Sequence, residues 1–169
     1  MLDLGKACAF SAGIIITLAI HAQASDPTSY VAPVPRAIAA ARKVFISNAG
    51  ADNLSHLVFS GAPNRCYNEF YHQVQALDRY EIVSSPAEAD IVLEISLRFS
   101  EARVNNTFRQ WLLRLRILDP KTQIVLWSVD ASSEQGGVRA TSDRNLDIAM
   151  ARIVSDLKGL AGAPPSGER

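Results

Sequence analysis

Ile91-Val92-Leu93-Glu94-Ile95-Ser96-Leu97-Arg98-Phe99 alternates without a break. Ile91, Leu93, Ile95, Leu97 and Phe99 point one way; Val92, Glu94, Ser96 and Arg98 point the other. That period of two marks a strand with one face on a core and one toward water. A sheet covered on both faces reads as a continuous apolar run instead. Phe108–Leu118 repeats the pattern, with Trp111, Leu113, Leu115 and Ile117 set against Leu112, Arg114, Arg116 and Leu118. Asp119-Pro120-Lys121-Thr122-Gln123 is a turn by composition. Ile124–Asp130 is the return strand, with Val125, Trp127 and Val129 sharing a face, so the pair forms a hairpin.

Outward from this centre, two segments carry helical spacing. Arg65–Arg79 places Tyr67, Phe70, Tyr71, Val74 and Leu77 on one side, with Asn64 as its N-cap. Ser142–Leu160 places Leu146, Ala149, Met150, Ile153, Val154, Leu157 and Leu160 on one side, capped by Thr141 or Ser142. Lys43–Ser47 and Tyr80–Val83 read as further strands. Ser84–Asp90 is a turn with room for one helical turn capped by Ser85. Asn48–Asn64 is a long connection in which Leu57-Val58-Phe59 tucks against the body, and Ala131–Thr141 is a Ser- and Gly-containing loop. The order is β-α-β-β-β-β-α. The expected fold is an α/β (α+β) two-layer sandwich, a mixed sheet of about five strands with two long helices on one face and the other face open. The first β-α-β unit is expected to be parallel and the hairpin antiparallel.

Met1–Ala24 reads as a secretory signal peptide: Lys6 in a weakly basic start, an apolar centre at Ala9–Ile20, then Ala22-Gln23-Ala24 as the small-x-small site. An uncleaved anchor is the rival, though the uninterrupted apolar run falls short of the ~20 residues of a span. Cys8 precedes the apolar centre, so it is not placed as a lipoprotein cysteine. The expected organisation is a signal at 1–24, an irregular lead-in with a short helix at 25–41, one domain at 42–162 and a disordered tail at 163–169. The destination is the periplasm or the extracellular space, with no transmembrane segment in the mature chain.

The 169 residues hold 17 basic and 17 acidic side chains. The signal removes one Lys and one Asp, so the balance stays at zero. Nucleic-acid proteins carry a basic excess, and neutrality argues against that class. Loss of Cys8 leaves Cys66 alone, so no intrachain disulfide is available despite the oxidising destination. Cys66 in the first turn of its helix, beside Arg65, is the candidate reactive thiol; its other reading is a buried small residue. His56 and His72 do not match a ligand spacing, so no metal, cofactor or catalytic residue is assigned. Glu94, Arg98, Arg114 and Arg116 share the open sheet face. They form either a partner surface, with Arg suited to bidentate contacts, or cross-strand charge pairs.

Ser84–Leu97 (SSPAEADIVLEISL), Leu113–Trp127 (LRLRILDPKTQIVLW) and Ser155–Leu160 (SDLKGL) together resemble a group of small exported bacterial proteins of unknown function. More distantly, Lys43–Gly162 is similar to the amino-terminal domain of the translocation protein TolB. Periplasmic domains of envelope lipoproteins of the curli-secretion and penicillin-binding-protein-activator class share that look. The resemblance brings no catalytic motif, lipid-anchor cysteine or propeller. It implies contact with other envelope proteins. The expectation is a non-enzymatic cell-envelope protein that binds a protein partner through the open sheet face or the 48–64 loop, with anionic lipid or glycan as further partners of that face. The alternative is a small-molecule or lipid-binding periplasmic domain, with an envelope hydrolase behind both.

Overall fold

A computed structural model describes residues 32–100 and 110–162. The expected signal at 1–24, the start of the expected lead-in, most of the expected connection before Phe108 and the expected tail at 163–169 lie outside the described residues. The elements in chain order are α1 (Arg36–Ala40), β1 (Lys43–Ala51), α2 (Ser55–Val58), α3 (Arg65–Gln75), β2 (Glu81–Ile82), a 3-10 turn (Pro86–Glu88), β3 (Ile91–Ser100), β4 (Gln110–Leu118), β5 (Val125–Glu134) and α4 (Arg139–Gly162). The five strands form one mixed sheet in the order β2-β1-β3-β4-β5. β1 runs parallel to both neighbours, whereas β3-β4-β5 is an antiparallel meander. One face takes α3 and α4 and the other is open, so the sequence pattern and the architecture agree.

The alternation of Ile91–Phe99 becomes register. Leu93 lies opposite Ile117, Ile95 opposite Leu115 and Leu97 opposite Leu113, all fully buried under the helices. Phe70 and Val74 of α3 and Leu146, Met150, Ile153 and Leu157 of α4 close over them, and Ile38 of α1 joins the same cluster. Ser85 caps the 3-10 turn by accepting from the Ala87 N–H.

Several boundaries differ from the sequence reading: α3 ends at Gln75 instead of Arg79, β2 shortens to Glu81–Ile82, and three further shifts have a local reason. β1 continues past Ser47 to Ala51, because Asn48 Oδ1 accepts from Gly50 N–H at 2.9 Å and Gly50 takes a positive φ of 82°, which carries the strand through an irregularity in its pairing with β3. β5 continues to Glu134, since Ala131 and Ser133 keep facing the core opposite Leu113 and Trp111. α4 starts at Arg139, not Ser142: the Ser142 side chain accepts from Gly136 N–H at 3.0 Å, tying back the preceding loop. Another difference concerns side-chain direction. The register of β4 with β5 skips Leu126, so Ile117 faces Trp127 while Leu118 faces Val125. This bulge sends Leu126 and Trp127 toward the core and turns Val125 to the open face, breaking the shared alternation of Val125, Trp127 and Val129.

Asp90 fixes the start of both central parallel strands. Its Oδ2 accepts from Arg42 and Lys43 N–H, each at 2.8 Å, and its own N–H donates to Lys43 O. The bonds from the Lys43 and Arg42 amides hold the carboxyl below its ordinary range. Replacement by alanine is expected to cost about 1 kcal/mol at neutral pH in urea unfolding, with Asp90→Asn recovering part of it. Because the folded-state value is depressed, this contribution is present above the unfolded carboxylate range and fades as pH falls through the folded value.

Candidate binding surfaces

The four residues assigned to the open face do converge there, as neighbours on β3 and β4. Glu94 lies opposite Arg116, Ser96 opposite Arg114, and Arg98 opposite Leu112. The guanidinium groups are all engaged. Arg116 Nε donates to Glu94 Oε1 at 2.7 Å, and its Nη2 reaches the same oxygen. Arg114 donates through Nε and Nη2 to the two oxygens of Asp130 at 2.7 and 2.8 Å, a bidentate fork that raises its pKa. Arg98 Nη2 donates to the Ala49 carbonyl at 2.9 Å. The three arginines are therefore held by cross-strand carboxylates and a backbone carbonyl. Exposed pairs of this kind add little to stability.

Beside the charged rows runs an apolar one. Phe45, Val92, Leu118 and Val125 are register neighbours across β1, β3, β4 and β5, and Val92 and Leu118 are buried. Trp127 is half-buried against the helix-side core and Trp111 fully buried.

Cys66 sits in the first turn of α3 as expected, following Asn64 as N-cap, although the Asn64 side chain makes no capping bond. The thiol is buried, and burial, followed by the charge of Glu69, pushes its pKa up to about 12; Arg65 opposes this and is outweighed. A thiol at that value stays protonated at neutral pH, and the nucleophile in thiol chemistry is the thiolate. The helix dipole and Arg65 invite a reactive reading, but the side chain points into the core. We expect Cys66 to resist an aromatic disulfide reagent in the folded protein and to react at once in denaturant. Labelling of the native protein at the rate of the denatured chain would show that the packing around it opens.

The 48–64 segment is more informative than its sequence suggested. Phe59 is fully buried against Trp111 at 5.2 Å between ring centroids, and Val58 is half-buried. Leu57, expected to tuck in with them, is 62% exposed, and Leu54, one turn earlier, is 50% exposed. The short helix α2 directs Phe59 inward and Leu57 outward. Arg139, at the start of α4, extends Nη2 to the carbonyls of His56 and Leu57 at 3.4 Å, so Val138, 63% exposed, lies at the same end of the molecule. His56 Nδ1 is 2.6 Å from Asn53 O within the segment. Among the described residues no three His, Cys, Asp or Glu side chains are grouped to hold a metal ion.

The end of the segment is clamped by a network the sequence did not disclose. Ser60 donates through N–H and Oγ to Asp143 at 2.9 and 2.7 Å. Arg65 reaches Asp143 at 2.5 Å, Asp147 at shorter range and Glu69 at 3.6 Å. One cation thus joins the loop, α3 and α4. Arg65 and Asp143 are nearly eighty residues apart, and nothing in their local sequence marks them as partners.

No family model and no curated protein matches the chain. Solved structures do resemble it in shape. A hypothetical protein from Chlamydia trachomatis is 14% identical with a TM-score of 0.47, covering 72% of this chain and 99% of its own. A protein from Xanthomonas campestris is 12% identical with a TM-score of 0.43, covering 70% and 82%. Uncharacterized lipoprotein B from Nitrosomonas europaea is 11% identical with a TM-score of 0.38, covering 72% and 81%. Likeness at this level assigns no activity. These likenesses are not specific to TolB.

Proposed function

We propose that this chain is a non-enzymatic protein of the bacterial cell envelope whose 48–64 segment binds a protein partner. The observation that supports the reading is the exposure of Leu54 and Leu57 on a segment that is braced at both ends, with exposed Val138 before α4 at the same end of the molecule. Phe59 anchors it in the core, Asp52 N–H donates to Leu97 O at 2.9 Å, and Ser60 is held by Asp143. Exposed aliphatic side chains grouped at one end and rimmed by polar groups are a common feature of interaction sites. Bracing reduces the ordering cost of binding. The contact is placed here and not on the three arginines because their guanidinium forks are spent on Glu94, Asp130 and the Ala49 carbonyl. The envelope location rests on the reading of Met1–Ala24. Among the described residues no helix is long and apolar enough to cross a membrane.

A photo-crosslinking amino acid in place of Leu57, with Arg98 and Ile148 as comparison positions, tests the reading in the cell that makes the protein. One discrete adduct from position 57 supports it, provided the captured protein, once purified, binds the chain and Leu54→Asp weakens that binding at least tenfold, the loss of about 1.4 kcal/mol. An adduct from position 98 alone, or none from any position, overturns it.

A further inference from the structure

The two edges of the sheet differ. β2 closes one side with 2 residues, while β5 lies along the other with 10 and has no neighbour beyond it among the described residues. A long edge strand exposes a row of backbone donors and acceptors, and proteins that must stay single blunt such an edge with Pro, Lys or inward-pointing charges. Val125–Glu134 contains neither Pro nor Lys. It begins with Val125-Leu126-Trp127, preceded by Ile124, which is 62% exposed. Its one charge near the middle, Asp130, is held by the Arg114 fork.

Along this edge runs an open groove of about 460 Å³ between β5 and α4, lined by Trp127, Val129, Asp130, Asp156, Gly159 and Leu160 among others. A Cβ on Gly159 would meet nothing within 4 Å, so the groove is open above it. An added strand would find a main-chain ladder on β5 and room for alternate side chains in the groove, the two requirements of strand addition.

We propose that β5 pairs antiparallel with β5 of a second copy of this chain, about a two-fold axis at Ser128. Antiparallel pairing puts directly opposite residues on the same face. With Ser128 facing its own counterpart, Trp127 lies opposite the second copy's Val129, so the half-buried indole of each copy covers the groove of the other. Asp130, on the open face, then lies beside the second copy's bulge at Val125-Leu126. An axis at Asp130 would instead set two carboxylates face to face, which like-charge repulsion disfavours. The zero net charge of the chain imposes no general repulsion between copies. The contact is isologous and closes at two copies.

Sedimentation of the purified chain tests the pairing, with two substitutions at an exposed position that leaves the core untouched. The wild type is expected to be a dimer. Ser128→Lys, which brings two ammonium groups together at the axis, should weaken it at least tenfold with an unchanged circular dichroism spectrum. Opposite Cβ atoms in such a pair stand about 5 Å apart, near disulfide range. Ser128→Cys should therefore give a covalent dimer on mild oxidation, while Ser132→Cys, set well away from the axis along the strand, should not. A monomer at every concentration, a dimer indifferent to Ser128→Lys, or equal crosslinking from both cysteine variants would overturn the proposal.

Discussion

Trp111→Ala is expected to cost the fold about 4 kcal/mol, a fall of roughly 15 °C in melting temperature. Trp111 is 1% exposed and sits edge-on between Phe59 at 5.2 Å and Phe99 at 5.3 Å. Truncation removes both aromatic contacts and leaves a hole at the end of the sheet that rigid β-strands do not close. Its Nε1 has no hydrogen-bond partner among the described residues, so no bond is lost with it. Trp111→Phe should therefore cost less than half as much, since it fills part of the volume and removes an unsatisfied buried donor. Urea unfolding decides: a loss under about 1 kcal/mol for the alanine variant would mean that the cluster carries little. The same variant should loosen the 48–64 segment, whose anchor Phe59 packs on this ring. Faster amide exchange at Ser55–Phe59 than in the Phe variant is the readout.

Arg65→Met should cost about 2 kcal/mol at neutral pH, less than the ~3–5 of a fully buried pair because Asp147 stays half exposed to solvent. The methionine keeps most of the volume, so the loss reports Asp143, Asp147 and Glu69 left facing each other without a counter-charge. Its pH dependence is distinctive. Burial alone would raise the Asp143 carboxyl, but the Ser60 hydroxyl and amide, then Arg65, outweigh it and hold the group below its ordinary value. In the wild type this contribution is complete above the unfolded carboxylate range and is lost as pH falls through the depressed folded value. In the variant the Asp143 carboxylate keeps its charge without the Arg65 cation. The gap between the two proteins should narrow as pH falls through the unfolded carboxylate range. A gap that stays constant with pH would assign the loss to packing.

The architecture was legible because its carriers are local. The period of two in Ile91–Phe99 and the helical stripe at Leu146, Met150, Ile153 and Leu157 are properties of neighbouring residues, and burial follows them. What escaped depends on distance. β1 inserts between β2 and β3, and parallel pairing leaves no turn in the sequence to announce the neighbour. The bulge at Leu126 needs only one unpaired residue in an apolar run, where period two and its interruption look alike. At the surface, Glu94 opposite Arg116 was within reach of a cross-strand argument, but Arg98 chose a backbone carbonyl, which no side-chain pattern reveals. Leu57 and Phe59 are equally apolar in sequence; only the turn of α2 separates an anchor from an exposed patch.

The placement of β1 between two parallel partners sets an order of events. β3, β4 and β5 are successive antiparallel strands whose contacts close over short stretches of chain. Lys43, by contrast, meets Asp90 across 47 residues, and β1 gains its ladder only after α3 and β2 have been laid out between them. Loop closure across that span costs entropy before any contact repays it. The meander with α4 should therefore assemble first and act as the template on which β1 docks. Substitutions in the meander such as Leu115→Ala should then slow folding, while Val44→Ala on β1 should mainly speed unfolding.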